Sequence, residues 1–196
     1  ALTVFRDHGK RLFLGTFIAL ATFVLFYLMT VFTLSWATTR LGFSRHFFLL
    51  MQLFAVLFFG LAIPISALLA DRFGRRLILI LSTIAIALFG LSFAPMFGSG
   101  NSIDITLFLC VGLGLMGMTY GPLGTALSGL FPTEVRYTGA SLAFNFAGIL
   151  GASFAPFIAT WLATTHGLDY VGYYLSASAL LTLLALVFTS ANKQVI

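Results

Sequence analysis

This sequence predicts an all-α membrane protein, a bundle of six transmembrane helices. Three observations carry that expectation. Hydrophobic residues make up 60% of the 196-residue chain and charged residues only 8%, against roughly 25% charged in soluble domains. The apolar residues gather into six runs, each near the ~20 residues that cross a bilayer as a helix. Glycine-bearing or charged turns separate the runs.

The first run, residues 12–36, follows Arg6, Lys10 and Arg11. It is too long for the ~7–15-residue core of a signal peptide, so it is expected to stay as a span. The others cover 47–69, 77–97, 103–130, 140–164 and 170–189. Residues 1–11 then form a lead-in, 12–189 the membrane domain and 190–196 a tail. Turns are expected at Thr38–Arg45 with Gly42, at Gly98–Ser102, at Pro132 and at His166–Asp169. Such spacing leaves no room for a soluble catalytic domain.

The net charge of +5 reads as topological sorting. Eight of the ten basic residues fall on one side: Arg6, Lys10, Arg11, Arg72, Arg75, Arg76, Arg136 and Lys193. Only Arg40 and Arg45 fall on the other. Both termini are therefore expected in the cytoplasm. Trp36, Trp161, Tyr170 and Tyr173 then lie at outer helix ends, where amphipathic rings favour the headgroup layer. Nucleic acid is not an expected partner, because no solvated basic face exists. Cys110 is the single cysteine, so no intramolecular disulfide can form. His8, His46 and His166 lie in loops or at helix ends, and neither a metal nor a cofactor site is expected.

Burial alone cannot hold helices together in lipid, and small residues that allow close approach take its place. Gly114, Gly117, Gly121, Gly124 and Ser128 share one face of the fourth run. Ala143, Ala147, Gly151, Ala155 and Ala159 do the same in the fifth. Pro64, Pro122 and Pro156 lie inside runs two, four and five and are expected to kink them. The carbonyls they free need a neighbour or a wet cavity.

The loop between runs two and three reads Asp71-Arg72-Phe73-Gly74-Arg75-Arg76. Gly74 permits the tight reversal. This stretch resembles the D-R-x-G-R-R loop signature of the major facilitator superfamily, with Ala67 where the family pattern has a glycine before the Asp. Phe131-Pro132-Thr133-Glu134-Val135-Arg136 through Ser141 is similar to the loop between helices ten and eleven of the metabolite:proton symporter family. Val4 through Leu12 resembles the entry to that family's helix seven. That group holds permeases for α-ketoglutarate, shikimate, citrate and proline/betaine. The P-T-E-V-R stretch also resembles sugar porters. The resemblance covers nearly the whole chain, read as helices seven to twelve, the C-terminal half of a secondary transporter.

The resemblance implies a multi-pass protein of the bacterial inner membrane, without enzymatic activity or catalytic residues. Its expected partners are lipid, protons, an organic acid or compatible solute, and an N-terminal six-helix half. It assigns Asp71, Arg72, Gly74, Arg75 and Arg76 to a cytoplasmic gate, with Glu134 and Arg136 as their partners. The polar residues inside the spans are candidates for a substrate path: Tyr27, Thr30, Gln52, Thr119, Tyr120 and Asn145. None of the five acidic residues, Asp7, Asp71, Asp104, Glu134 and Asp169, falls at mid-span.

Other classes fit less well. An intramembrane serine protease needs G-x-S-G, and the nearest stretch is Ala126-Leu127-Ser128-Gly129. The paired N-P-A segments of aquaporin-type channels are missing from the sequence. A half-transporter that pairs with its own copy remains an alternative, and a channel is a more distant one.

Overall fold

The computed structural model describes residues 2–191, so Lys193 and most of the expected tail lie outside the described residues. All regular structure among the described residues is helical. The elements are α1 (Leu2–Asp7), α2 (Gly9–Tyr27), α3 (Thr33–Thr39), α4 (Arg45–Phe73), α5 (Arg75–Gly90), α6 (Ser102–Gly129), α7 (Arg136–Ile149), α8 (Ala155–Thr165) and α9 (Leu168–Ala191). Three single π-helical turns interrupt this series: π1 (Leu28–Phe32), π2 (Phe93–Phe97) and π3 (Leu150–Phe154). Two of them join α2 to α3 and α7 to α8 without ending the rod.

Five of these rods are long and apolar enough to cross a membrane: Gly9–Thr39, Arg45–Phe73, Ser102–Gly129, Arg136–Thr165 and Leu168–Thr189. The third expected span is different. Its continuous part, α5, has 16 residues, about 24 Å at 1.5 Å per residue, short of the ~30 Å hydrocarbon core. The break follows from Pro95, which has no N–H to donate and whose ring crowds the Leu91 carbonyl. After turn residues Leu91 and Ser92, the chain resumes as π2, around Pro95 itself. At the other end of the chain, only His8 separates α1 from α2, so residues 2–11 are helical almost throughout.

Connections are short. Gly74 alone links α4 to α5, at φ 97°, a backbone conformation that a side chain would strain. Ser44 and Asn101 cap α4 and α6, accepting from the Phe47 and Ile103 amides.

Helix α2 lies at the centre and packs on α6, α7 and α9, while α4 packs chiefly on α6. The alanine stripe of the fifth run is buried throughout: Ala143, Ala147, Gly151, Ala155 and Ala159. A Cβ on Gly15 of α2 would lie 3.0 Å from Ala143 Cβ. The glycine stripe of α6 divides. A Cβ on Gly117 would meet the Phe59 carbonyl at 2.5 Å and Ala62 Cβ at 2.7 Å, and one on Gly121 would collide with Ser66. Gly124 has open space beside it. Only the middle of that stripe is a seam within this chain.

The prolines behave unequally. Pro64 and Pro122 sit inside the uninterrupted helices α4 and α6. Pro156 is in the first turn of α8, directly after π3, where its missing N–H costs least.

Polar side chains staple the bundle. Thr182 of α9 donates to the Phe17 carbonyl at 2.7 Å and accepts from the Ala21 amide at 3.1 Å, inserting its hydroxyl into the ladder of α2. Ser176 donates to the Ala87 carbonyl at 2.6 Å, Ser66 to that of Gly117 at 3.2 Å, and Thr22 to Thr119 Oγ1 at 2.9 Å. Each satisfies a polar group that hydrocarbon could not.

Candidate functional site

The six polar residues expected along a path separate into two groups. Gln52 and Thr119 are buried between helices. Gln52 Nε2 donates to the carbonyls of Met29 at 2.8 Å and Thr30 at 2.9 Å, and lies 3.3 Å from Thr33 Oγ1. Met29 and Thr30 belong to π1. A π turn changes the local i→i−4 pattern, and the amide from α4 supplies donors to two of its carbonyls. Thr119 accepts from Thr22 and donates to the Met116 carbonyl at 2.9 Å. Thr30 is half-buried, with its hydroxyl on the Phe26 carbonyl of its own helix at 2.7 Å. These three groups are spent on structure.

The other group is turned outward. Tyr27 and Asn145 line one open cavity of about 280 Å³, together with Phe23, Phe144, Ala152 and Ser153. Tyr27 is the residue immediately before π1, and Ala152 and Ser153 lie in π3. The cavity is therefore bounded by π3 on one side and by the end of α2, just before π1, on the other, and such turns are frequent at functional sites. Gly151 makes the approach possible, since a Cβ there would lie 2.7 Å from Phe23 Cβ. Tyr120 is 38% exposed, and its ring stands 6.4 Å from that of Phe144 and 5.8 Å from that of Phe59.

Phe23, Phe144 and Ser153 were not expected from sequence. A signal existed for the first, since Phe23 and Tyr27 are four residues apart and share a helical face. Ser153 carried none, because its phase depends on π3.

The charged residues of the 71–76 turn and of the lead-in gather at one end of the bundle. Asp71, Gly74, Arg75 and Arg76 line a cavity of about 410 Å³ with Thr125 and Leu186. A smaller cavity of about 130 Å³ holds Asp7, His8, Lys10 and Arg11. Leu130 and Thr189 border both, so the basic lead-in and the 71–76 turn share this end.

The expected pairing of that turn with Glu134 and Arg136 is not made in this conformation. No Lys or Arg nitrogen lies within 4.0 Å of a carboxylate oxygen among the described residues. Arg136 borders a separate groove with Gly124, Ser128 and Thr133. Two of these arginines instead donate to backbone carbonyls. Arg76 Nη2 donates to Leu186 of α9 at 3.2 Å, and Arg136 Nε at 3.3 Å to Phe131, just past the end of α6, where helix carbonyls lack partners and the dipole favours a cation. Arg72 lies over the Phe73 ring at 5.3 Å. Asp71, Arg75 and Glu134 are exposed.

Residues 12–194 match the Major Facilitator Superfamily. The chain belongs to the major facilitator superfamily. It is 52% identical, over 98% of its length, to the inner membrane metabolite transport protein YhjE of Escherichia coli, and covers 45% of that relative. It is 31% identical to a citrate-proton symporter of Klebsiella pneumoniae, over 92% of this chain and 41% of the relative. It is 30% identical to a proline/betaine transporter of Salmonella typhimurium, over 90% of this chain and 35% of the relative. The chain thus spans under half the length of these relatives. No solved structure matches it. The superfamily and these relatives are transporters rather than enzymes, in keeping with the loop motif at 71–76.

Proposed function

We propose that this chain is the C-terminal six-helix half of an inner-membrane secondary transporter for a small polar metabolite. It works by alternating access, with proton symport, together with an N-terminal half. The observation that carries this reading is the cavity of about 280 Å³ between α2 and the α7–π3 rod, lined by both Tyr27 and Asn145. Transporter sites form where helices are locally irregular and one repeat faces another. Both conditions suit this open cavity beside π3. Tyr27 and Asn145 are its substrate-facing residues, with Tyr120 beside it against Phe144, while Gln52, Thr30 and Thr119 hold the walls. The turn Asp71-Arg72-Phe73-Gly74-Arg75-Arg76, with Glu134 and Arg136, gates the cytoplasmic end. Its charges are wetted and worth only ~0–1 kcal/mol per pair, which suits a contact made in one conformation and released in the other. The third run, α5 with π2, counts as the sixth span.

Reconstitution tests the reading. Liposomes holding the two halves together, and liposomes holding this chain alone, are given an inward proton gradient and labelled organic acids or compatible solutes. Saturable, gradient-driven uptake is expected only with both halves. Uptake by this chain alone would favour a self-pairing half-transporter, and flux that does not saturate would favour a channel.

A further inference from the structure

We infer that the cavity between α2 and the α7–π3 rod receives a substituted ammonium group, the positive end of a zwitterion or a cation, and not a carboxylate. This inference rests on reading that cavity as the substrate site, and it adds the chemical class of ligand. Three observations carry it. First, the walls include three partly exposed aromatic rings, Phe23, Tyr27 and Phe144, with Phe23 and Phe144 packed edge-to-face at 4.8 Å. Aromatic faces carry negative potential and attract cations.

Second, the amide in the cavity is set to accept. Asn145 Nδ2 donates to the Ser141 carbonyl at 2.7 Å and lies 3.4 Å from Ser141 Oγ. A backbone carbonyl can only accept, so the nitrogen must face it and Oδ1 must face away. The N–H groups that a carboxylate would need are therefore directed back at the helix.

Third, no Lys or Arg lines the cavity. Every Lys and Arg among the described residues sits in a turn or near a helix end. A carboxylate in this cavity would have no cation of this chain as a partner, only hydroxyl groups and the second, weakly engaged N–H of Asn145. The relatives named above include both a citrate and a proline/betaine carrier at near-equal identity. Similarity does not choose between them, whereas the cavity's chemistry does.

The test uses the full-length transporter and an isosteric pair. Glycine betaine carries a trimethylammonium group and a carboxylate; 3,3-dimethylbutyrate has the same outline with carbon in place of the nitrogen. Equilibrium binding of labelled betaine, with the butyrate as competitor, gives their affinity ratio. Betaine is expected to bind roughly 5–30-fold more tightly, the range that a cation over aromatic faces supplies. Phe144→Leu and Tyr27→Leu are each expected to bring the ratio toward one, whereas Tyr27→Phe, which keeps the ring face, preserves it. Equal binding of the two probes, no measurable betaine binding, or an unchanged ratio in both Leu variants overturns the inference. Saturable uptake of citrate or shikimate, blocked by neither probe, also overturns it and leaves the transporter reading standing. The absence of saturable uptake of any solute removes the transporter reading itself.

Discussion

Gln52 offers the sharpest test of how this bundle is held. The perturbation is Gln52→Leu, which keeps the volume approximately and removes every donor. The wild-type amide gives hydrogen bonds of 2.8 and 2.9 Å to two carbonyls of π1, and a longer one of 3.3 Å to Thr33. Interhelical hydrogen bonds in membranes contribute about 0.6 kcal/mol each, with a maximum near 1.7. The amide nitrogen has two N–H groups, both on those carbonyls, and two bonds at the average give roughly 1 kcal/mol, about 3 at the maximum. Water-soluble reference values are larger, since an abandoned buried acceptor costs about 1–3 kcal/mol. The membrane figure is the better guide here, because a chain unfolded within the bilayer still pairs its polar groups internally. The expected loss is therefore about 1–3 kcal/mol.

Equilibrium unfolding of the full-length protein in mixed micelles, titrated with a denaturing detergent, would read that loss. A shift under ~0.5 kcal/mol, the scale of an ordinary surface change, would refute the bracing role. Normal stability combined with lost transport would instead return Gln52 to the substrate path. Gln52→Asn keeps an amide but withdraws it by one methylene, and its stability is expected to fall between the other two.

Further outcomes follow from the same geometry. Gly117→Val should cost about 1–3 kcal/mol or more through overpacking, because even a Cβ would meet the Phe59 carbonyl at 2.5 Å; Gly124→Ala, with nothing within 4 Å, should leave the thermal midpoint of the extracted protein unchanged. Asp71→Asn and Arg75→Ala should lower transport by the complete carrier without reducing its amount in the membrane, since both side chains are exposed. Reporter fusions in the 71–76 turn should read cytoplasmic and those at 99–101 external, and the reverse would overturn the orientation. Asp104→Asn and Asp169→Asn, both near helix starts, should leave gradient-driven accumulation intact, because neither carboxylate reaches the midplane; loss of accumulation with retained exchange would place the proton site on this chain.

The long rods were legible because the signal is additive. Twenty apolar residues outweigh any single local preference, and a positive-φ glycine such as Gly74 marks a reversal plainly. A proline stands beside two of the irregularities. Pro156 lies two residues beyond π3, near a kink expected from sequence, and Pro95 sits inside π2, within the run 77–97 that was read as one unbroken span. The run Leu28–Phe32 contains nothing that an α-helix would refuse. Its π turn goes with donors from Gln52, which is more than twenty residues away and on another helix. Local sequence could not reveal it. The same holds for the small-residue stripes: both are equally regular in sequence, yet the stripe Ala143–Ala159 at steps of four is buried throughout while the α6 glycines divide at Gly121.

The polar residues make the same point at the level of function. In a span, a Thr, Gln or Asn must find a partner in protein or water, and residue type does not say which. Partner identity does. Gln52 and Thr119 reach across to another helix and are buried. Asn145 bonds only within its own helix and is exposed. A buried cross-helix bond would have to break for its side chain to meet a ligand, at a cost of about 0.6–1.7 kcal/mol each. Asn145 keeps its bond to Ser141 and still presents Oδ1. Gln52 and Thr119, held by buried cross-helix bonds, therefore belong to the frame of the path, whereas Asn145, whose bond is local, and Tyr27, which lines the same open cavity, remain on the path.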